Sequence, residues 1–215
     1  MSATHHPAEE LLLAHAGGAA DEALSLIIAT HLALCPQCRA KVAKMESLGG
    51  AVLDDLAPVA ISDSALDAVL AKLESAPLER RAARATAKPG LAPEPLRSYL
   101  KSDLDSVAWR SLSSGISFCD LFRRDAMSAR LIRSLPGCGV GTHTHHGEEL
   151  TLVLTGGYTD VTGHFRRGDL QTADGALEHR PIADPGEDCI VLAVCDAPLK
   201  FRSAAVGLIG KLFGF

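Results

Sequence analysis

The segment GTHTHHGEELTLVLTG, residues 141–156, constrains the fold of this 215-residue chain more than any other feature. His143 and His145 are two residues apart, so on an extended strand both side chains point to the same face. Glu149 follows at the start of an apolar stretch, and His179 comes later, after a turn-rich region. Three imidazoles and one carboxylate suit zinc, iron, manganese or nickel. These four residues are therefore predicted to bind one divalent metal ion.

Three neighbouring residues are weaker candidates for that site. His146 is adjacent to His145 and faces the other way on an extended strand. Glu148 competes with Glu149, and the period-two alternation favours Glu149. His164 lies in a polar stretch and is predicted to be a surface residue in a turn.

The second half of the chain has the pattern of an all-β domain. The leucines of residues 150–155 alternate at period two, and Gly156-Gly157 follows as a turn signal. Short strands at regular spacing are typical of a β-sandwich or a barrel. The other predicted strands cover residues 109–112, 116–122, 128–135 and 187–195.

The first half has a different composition and is predicted to be helical. Ala, Leu and Glu are abundant, and no aromatic Phe, Tyr or Trp occurs before Tyr99. We therefore predict a helical domain (1–75), a Pro/Arg-rich linker (76–97), a β-domain (98–200) and an apolar tail (201–215). Because prolines break helices and like charges resist collapse, the linker is interpreted as a solvated hinge, with contact to an acidic partner as an alternative.

Helix start and stop signals divide the first half into four helices. The first begins at Pro7 and stops at Gly17-Gly18. The second covers residues 21–34, and the third runs from Pro36 to Gly49-Gly50. The fourth begins after Ser62, with apolar residues on one face. That face consists of Leu66, Val69, Leu70 and Leu73.

A second group of metal-binding residues lies between helices two and three, in the pattern H-x3-C-x2-C. Zinc binds imidazole nitrogen and thiolate sulfur in a tetrahedron, and His31, Cys35 and Cys38 provide three ligands. His5 and His6 are the nearest candidates for the fourth, and His6 is preferred because it lies beside the start of the first helix. The alternatives are a redox pair of cysteines or two small buried residues.

Charge and hydropathy restrict the partners of the chain. The formal net charge is -5, so the chain as a whole does not attract DNA or an anionic membrane. The N-terminus lacks the pattern of a signal peptide, and the longest apolar stretch is too short and too polar to span a bilayer. We therefore predict a cytoplasmic protein without membrane or direct nucleic-acid contact, whose six cysteines are metal ligands, redox groups or core residues.

The pattern G-x-H-x-H-x3-E-x6-G is similar to the first cupin motif, and residues 168–179 resemble the second. Together the two halves resemble one family, the ChrR-type zinc-binding anti-sigma factors. The resemblance implies an all-α zinc-binding domain followed by an all-β cupin barrel. Zinc would be held by the first group of ligands, and zinc or another divalent metal by the second. These groups are His6, His31, Cys35 and Cys38, and then His143, His145, Glu149 and His179.

The resemblance also implies a function. The helical domain would bind an extracytoplasmic-function (group IV) sigma factor and block its access to core RNA polymerase. The cupin would be needed for release of the sigma factor under stress, in some relatives oxidative stress such as singlet oxygen. Leu11, Leu12 and Leu13 cannot all face inward on one helix. These three leucines and residues 66–73 are therefore the predicted sigma contacts.

Two other functions and one chemical question stay open at this point. The main rival is a cupin metalloenzyme of the dioxygenase or isomerase type. A metal-dependent DNA-binding regulator is disfavoured by the acidic balance. Oxidation of Cys138 or Cys189 near the metal is a sensing hypothesis, whereas Cys119 and Cys195 are interpreted as core residues.

Overall fold

The computed structural model describes residues 3–75, 92–100, 103–124 and 126–201. Most of the predicted linker, residues 76–91, and the tail beyond residue 201 lie outside the described residues. The described part begins with helices and continues with β-strands, as predicted.

Five α-helices and one short 3-10 helix occur in the described residues. Gly17 ends the first helix, as expected, whereas the third helix continues through Gly49-Gly50. Neither glycine has a positive φ angle, and glycine inside a helix costs only about 1 kcal/mol, so the helix does not stop there. The bounds are α1 (Glu9–Ala16), α2 (Glu22–Leu34), α3 (Pro36–Asp54), α4 (Ala65–Ser75), α5 (Glu94–Arg97) and the 3-10 helix (Leu104–Ser106).

Within the described residues, no single helix has both the length and the hydropathy of a membrane span. Only the pair α2 and α3, bent by 120° at their junction, meets that test when the two are counted together.

Eleven strands of the described residues form three antiparallel sheets. A six-stranded sheet has the order β1-β2-β3-β10-β5-β8, and two smaller sheets have the orders β11-β4 and β7-β6-β9. All five predicted strands are present, shifted at their ends by one or two residues. The bounds are β1 (Arg110–Ser113), β2 (Ile116–Arg124), β3 (Met127–Ser134), β4 (His143–His145), β5 (Glu149–Thr155), β6 (Gly157–Asp160), β7 (Gly163–Arg166), β8 (Leu170–Ala173), β9 (Ile182–Ala183), β10 (Cys189–Cys195) and β11 (Leu199–Phe201).

The central strands of the six-stranded sheet are buried on both faces. On β10, Leu192 belongs to a hydrophobic cluster that also contains Ile27 and Ile28 of α2. Val191 and Ala193 point the other way, into a second cluster between the sheets. A strand buried on both faces requires a continuous apolar sequence, which explains the run CIVLAVC. The helical and β parts therefore share one core, with α2 covering the outer face of the sheet.

The end of the predicted linker is also part of this core. Ala92 and Leu96 are buried, and α5 packs against α2. Asp103 accepts hydrogen bonds from the backbone N–H groups of Ala92 (2.8 Å) and Leu104 (2.7 Å). The structure thus has a packed helix, α5, within the predicted linker, because Ala92 and Leu96 are apolar residues that pack into the core.

Candidate metal centres

The first centre lies at the sharp junction of α2 and α3. Cys35 is both the C-cap of α2 and the N-cap of α3, and Pro36 is the first residue of the new helix. Proline is suited to this position because the N–H that it lacks has no intrahelical acceptor there. The Cys35 sulfur accepts from the backbone N–H of Cys38 at 3.5 Å. His31 lies one turn before Cys35 and is fully buried.

The structure brings the four predicted ligands of this centre together. His6 Nδ1 lies 3.5 Å from Cys35 Sγ and 3.3 Å from Cys38 Sγ. The His6 and His31 rings are edge-on, with centroids 5.9 Å apart, and one donor atom of each of the four residues lies within 4.8 Å of the others. Tetrahedral zinc bonds place donor atoms roughly 3.3–3.8 Å apart. Two sulfurs and two nitrogens at these distances fit zinc.

The pKa shifts at this centre keep the His31 ring in the neutral form that binds a metal, but they keep the Cys38 thiol protonated in the metal-free protein. Burial lowers the pKa of His31 to about 4, so its ring is neutral near pH 7. Neither ring nitrogen of His31 makes a hydrogen bond of normal geometry, which is costly for a buried polar group unless it has another partner such as a metal. Burial and the adjacent Cys35 raise the pKa of Cys38 to about 11. A bound metal would displace that proton.

The second centre lies between the six-stranded sheet and the smaller sheets. His143 and His145 are buried on β4, while Thr144 between them is half-buried, as the alternation predicted. Glu149 begins β5 and is buried as well. An isolated backbone bridge pairs His143 with His179. The donor atoms of these four residues also lie within 4.8 Å of one another.

Hydrogen bonds orient the imidazoles of this centre. His143 Nδ1 donates to the carbonyl oxygen of Gly141 at 2.7 Å, and His179 Nδ1 donates to Asp160 Oδ2 at 2.7 Å. Each ring therefore directs Nε2 inward, and these two Nε2 atoms lie 3.1 Å apart. His145 Nε2 lies 3.2 Å from His179 Nε2. Lone pairs at such distances repel unless a cation lies between them, and carboxylate or carbonyl support of the outer nitrogen is typical of metal-binding histidines.

Burial favours the neutral, metal-binding form of two histidines of this centre, His143 and His145. Burial lowers the pKa of His143 and of His145, although the nearby Glu149 carboxylate opposes the shift. His145 Nδ1 is buried without a hydrogen-bond partner and lies 3.6 Å from Glu149 Oε2. The donor set of three nitrogens and one carboxylate fits several divalent metals and does not distinguish among them.

A cavity of about 50 Å³ adjoins this second centre. Its wall is mostly apolar, with Ile132, Val191 and Leu199 among the lining residues, and Tyr158 and Gln171 add polar atoms. Since a single water needs roughly 10–15 Å³ of such space, the cavity has room for a few waters beside the histidines.

The neighbouring candidates stay outside the two centres. His146 and Glu148 are not in the donor groups of the described residues. His164 is exposed, as expected, but it lies on β7 rather than in a turn, where it contacts Asp184. His5 contacts Asp169 instead of the cysteines.

Three supporting residues were not found from the sequence. Asp160 holds His179, and Gln171 donates to Asp160 Oδ2 at 2.8 Å while accepting from the Tyr158 hydroxyl at 2.8 Å. Burial raises the pKa of Asp160, but hydrogen bonds from Gln171, Thr162 and His179 outweigh burial, so the pKa lies below its usual value. Asp169 contacts the N-terminal segment. No local sequence pattern marks these residues, because each contact depends on strand pairing.

Two cysteines of the β-domain, Cys189 and Cys195, have little thiolate character. Burial raises the pKa of Cys189 to about 12. Burial, followed by Glu149, raises the pKa of Cys195 well above its usual value, and Cys195 Sγ donates to Glu149 Oε1 at 3.3 Å. Because the thiolate is the reactive form, direct oxidation at these two positions is disfavoured. Cys138 is half-buried against Gly115.

The fold and its two centres define a two-domain protein, with a helical Cys/His site followed by a cupin with a His/Glu site. A family model described as the ChrR cupin-like domain matches residues 99–199. Anti-sigma-E factor ChrR of Cereibacter sphaeroides is 42% identical over 213 residues, covering 99% of each chain. The crystal structure of Rhodobacter sphaeroides SigE in complex with the anti-sigma ChrR matches with 41% identity and a TM-score of 0.79, covering 90% of this chain and 100% of the matched chain.

The chain belongs to the ChrR family of anti-sigma factors. The resemblance that the two motifs indicated is thereby confirmed. Membership makes the chain a transcription regulator rather than an enzyme, so the metalloenzyme alternative is not favoured.

Proposed function

We propose that this anti-sigma factor binds an extracytoplasmic-function (group IV) sigma factor through its helical domain. Binding would keep the sigma factor from core RNA polymerase and so block transcription initiation in the cytoplasm. A relative of known structure, ChrR, was crystallised in complex with SigE, which supports a sigma factor as the partner of this chain.

The observation that carries the proposal is an exposed apolar surface on the helical domain. Every residue in the range 46–74 is exposed except Ala65. Ten of the fourteen large apolar side chains that are exposed in the described residues belong to this range. Such a surface on a water-soluble chain is typical of a docking site. We call it the α3–α4 surface: Leu48, Val52, Leu53, Leu56, Val59, Ile61, Leu66, Val69, Leu70 and Leu73.

The first predicted contact, Leu11 to Leu13, is a weaker candidate. Leu12 is fully buried and Leu11 is half-buried, so only Leu13, with 59% of its surface exposed, remains available. The fourth helix therefore contributes more apolar surface to the proposed interface than the first.

Zinc at the first centre would fix the start of α3, the helix that carries part of this surface. Binding by His6, Cys35 and Cys38 would join the segment before α1 to the α2–α3 junction, and His31 would complete the tetrahedron. The angle between α2 and α3 sets the direction in which α3 leaves the core. Zinc sites of this kind contribute directly to folding free energy.

The cupin would be the sensing half. We propose that His143, His145, Glu149 and His179 bind zinc or another divalent metal, and that stress, including oxidative stress, acts at this centre to release the sigma factor. The shared core supports this assignment, because α2 packs directly on the sheet that carries Glu149. A change in that sheet therefore has a direct physical route to the helical domain.

The proposal is tested by co-expressing the full chain with the group IV sigma factor encoded beside its gene, followed by size-exclusion chromatography. We expect the two proteins to elute as one complex. The full chain is preferred to the isolated helical half, because removing the cupin would expose the buried residues of α2. A Leu135→Ala variant, changed at an exposed cupin leucine, is the matched control and should co-elute. Separate elution of the wild-type proteins would contradict the proposal.

A further inference from the structure

The segment before α1 lies on the cupin rather than on its own helical domain. The backbone N–H of Leu170 donates to the carbonyl oxygen of His5 at 3.1 Å. The His5 ring packs on Phe165, with ring centroids 4.4 Å apart. Ala3 is buried and lies close to Gly168. Chain termini are usually poorly ordered unless they are tied down, and here the cupin ties down residues 3–5.

One carboxylate, Asp169, makes most of the polar contacts to this segment. Its Oδ1 accepts from the backbone N–H of Thr4 at 2.6 Å and from that of His5 at 3.0 Å. The Thr4 hydroxyl donates to the same oxygen at 3.2 Å, and Oδ2 accepts from the backbone N–H of Arg166 at 2.9 Å. Asp169 is 2% exposed, so these protein donors replace the water around its carboxylate.

The next residue after this anchored segment is His6. Its Nδ1 lies within 3.5 Å of both cysteine sulfurs, whereas His31, Cys35 and Cys38 all belong to the α2–α3 unit. His6 is thus the one member of the first centre that reaches it from a separate part of the chain. The position of His6 is fixed by the residues before it, which Asp169 holds, and by α1, which begins three residues after it.

We infer that Asp169, a cupin residue, is a positioning residue for the zinc centre of the helical domain and acts by holding His6 at the cysteines. This inference rests on the proposed zinc site. Without the carboxylate, His6 would have to become ordered when the metal binds, which would weaken binding. Substitution of residues that orient metal ligands typically lowers metal affinity by about 10–100-fold.

The segment that contains Asp169, residues 169–171, also contacts Asp160, the residue that orients His179 in the second centre. Gln171, two residues after Asp169, donates to the Asp160 carboxylate that holds His179. Residues 169–171 therefore touch the supporting groups of both metal centres. Because of this arrangement, Asp169 is a physical connection between the sensing domain and the proposed zinc site.

Cobalt(II) titration of the metal-free full chain tests the inference. Only the first centre contains cysteines, so its thiolate-to-cobalt charge-transfer band reports on that centre alone. We expect Asp169→Asn to weaken cobalt binding about 10-fold or more, since an amide has a single oxygen and its NH2 group cannot accept the hydrogen bonds that the second carboxylate oxygen receives. Asp105→Asn, an exposed carboxylate that hydrogen-bonds Ser106, is the control and should bind like the wild type.

A double-mutant cycle separates positioning from general destabilisation. If Asp169 acts through His6, Asp169→Asn causes no further loss of affinity in a His6→Ala background. An equal loss in both backgrounds, or no loss in the single variant, would overturn the inference and leave the zinc site intact. Absence of the thiolate band in the wild-type protein would instead remove the zinc site and the inference together.

Discussion

Truncation of two leucines on α4 is expected to weaken sigma binding without weakening the fold. Leu66 is 65% exposed and Leu73 is 67% exposed, and they lie two helical turns apart on one face. About a third of each side chain is buried in the free protein, so Leu66→Ala/Leu73→Ala should change the free energy of unfolding by no more than about 1 kcal/mol in total, or about 0.5 kcal/mol per substitution. Alanine also has the higher helix propensity.

The expected effect on binding follows from the same exposures. Complete burial of a leucine contributes about 1.5–3 kcal/mol, and roughly two-thirds of each side chain remains to be buried by a partner. The double variant should therefore lose roughly 2–4 kcal/mol of binding free energy, which raises Kd by about 30- to 900-fold.

The assay is isothermal titration calorimetry of the full chain with the group IV sigma factor, combined with thermal unfolding of the free protein. Leu135→Ala, which truncates a leucine of similar chemistry on the cupin, should keep the wild-type Kd. If the double variant binds like the wild type, the α4 face does not belong to the interface. A loss of stability equal to the loss of binding would also refute the reasoning.

Three further predictions concern the metal centres and the core. Asp160→Asn should lower the metal affinity of the second centre about 10-fold or more, because it weakens the hydrogen bond that orients the His179 ring. Competition with a chelator measures this affinity, and an unchanged affinity would contradict the prediction. In the metal-free protein, the free energy of unfolding should fall by up to about 3 kcal/mol as the pH drops from 6.5 to 4, because His31 becomes protonated at a higher pH in the unfolded state than in the folded state. Denaturant titrations that give the same free energy of unfolding across this pH range would refute the prediction. Leu152→Ala should lower the free energy of unfolding by about 2–5 kcal/mol, and the variant should still unfold in a single transition that far-ultraviolet circular dichroism and Trp109 fluorescence report at the same midpoint. Two separate unfolding transitions would mean that the domains do not share a core.

The parts of the structure that depend on local periodicity could be predicted from the sequence. The spacing of His143 and His145 placed both on one face of a strand, and the pattern H-x3-C-x2-C placed three donors at a helix junction. Parity and the cupin spacing favoured Glu149 over Glu148, and Glu149 begins β5, a separate strand from β4. These features depend on residues that lie close together in the sequence.

Features that depend on distant contacts could not be predicted. Asp169 lies 165 residues from Thr4, and Asp160 lies 19 residues from His179, so nothing in either local sequence marks the contact. The packing of Leu96 on α2 was missed because its neighbours have the composition of a linker. Gly49-Gly50 resembled a stop signal, but glycine ends a helix when it leaves the helical conformation, for example by adopting a positive φ angle. These two glycines keep helical geometry, so α3 continues through them.

Hydrogen exchange measured on the free chain and on its complex with the sigma factor tests the central claim most directly. The proposed interface predicts that amides in residues 46–74 exchange more slowly in the complex, while the strands of the cupin keep the exchange rates of the free protein. Protection confined to the cupin strands, with residues 46–74 exchanging as in the free chain, would contradict the proposal that the α3–α4 surface binds the sigma factor.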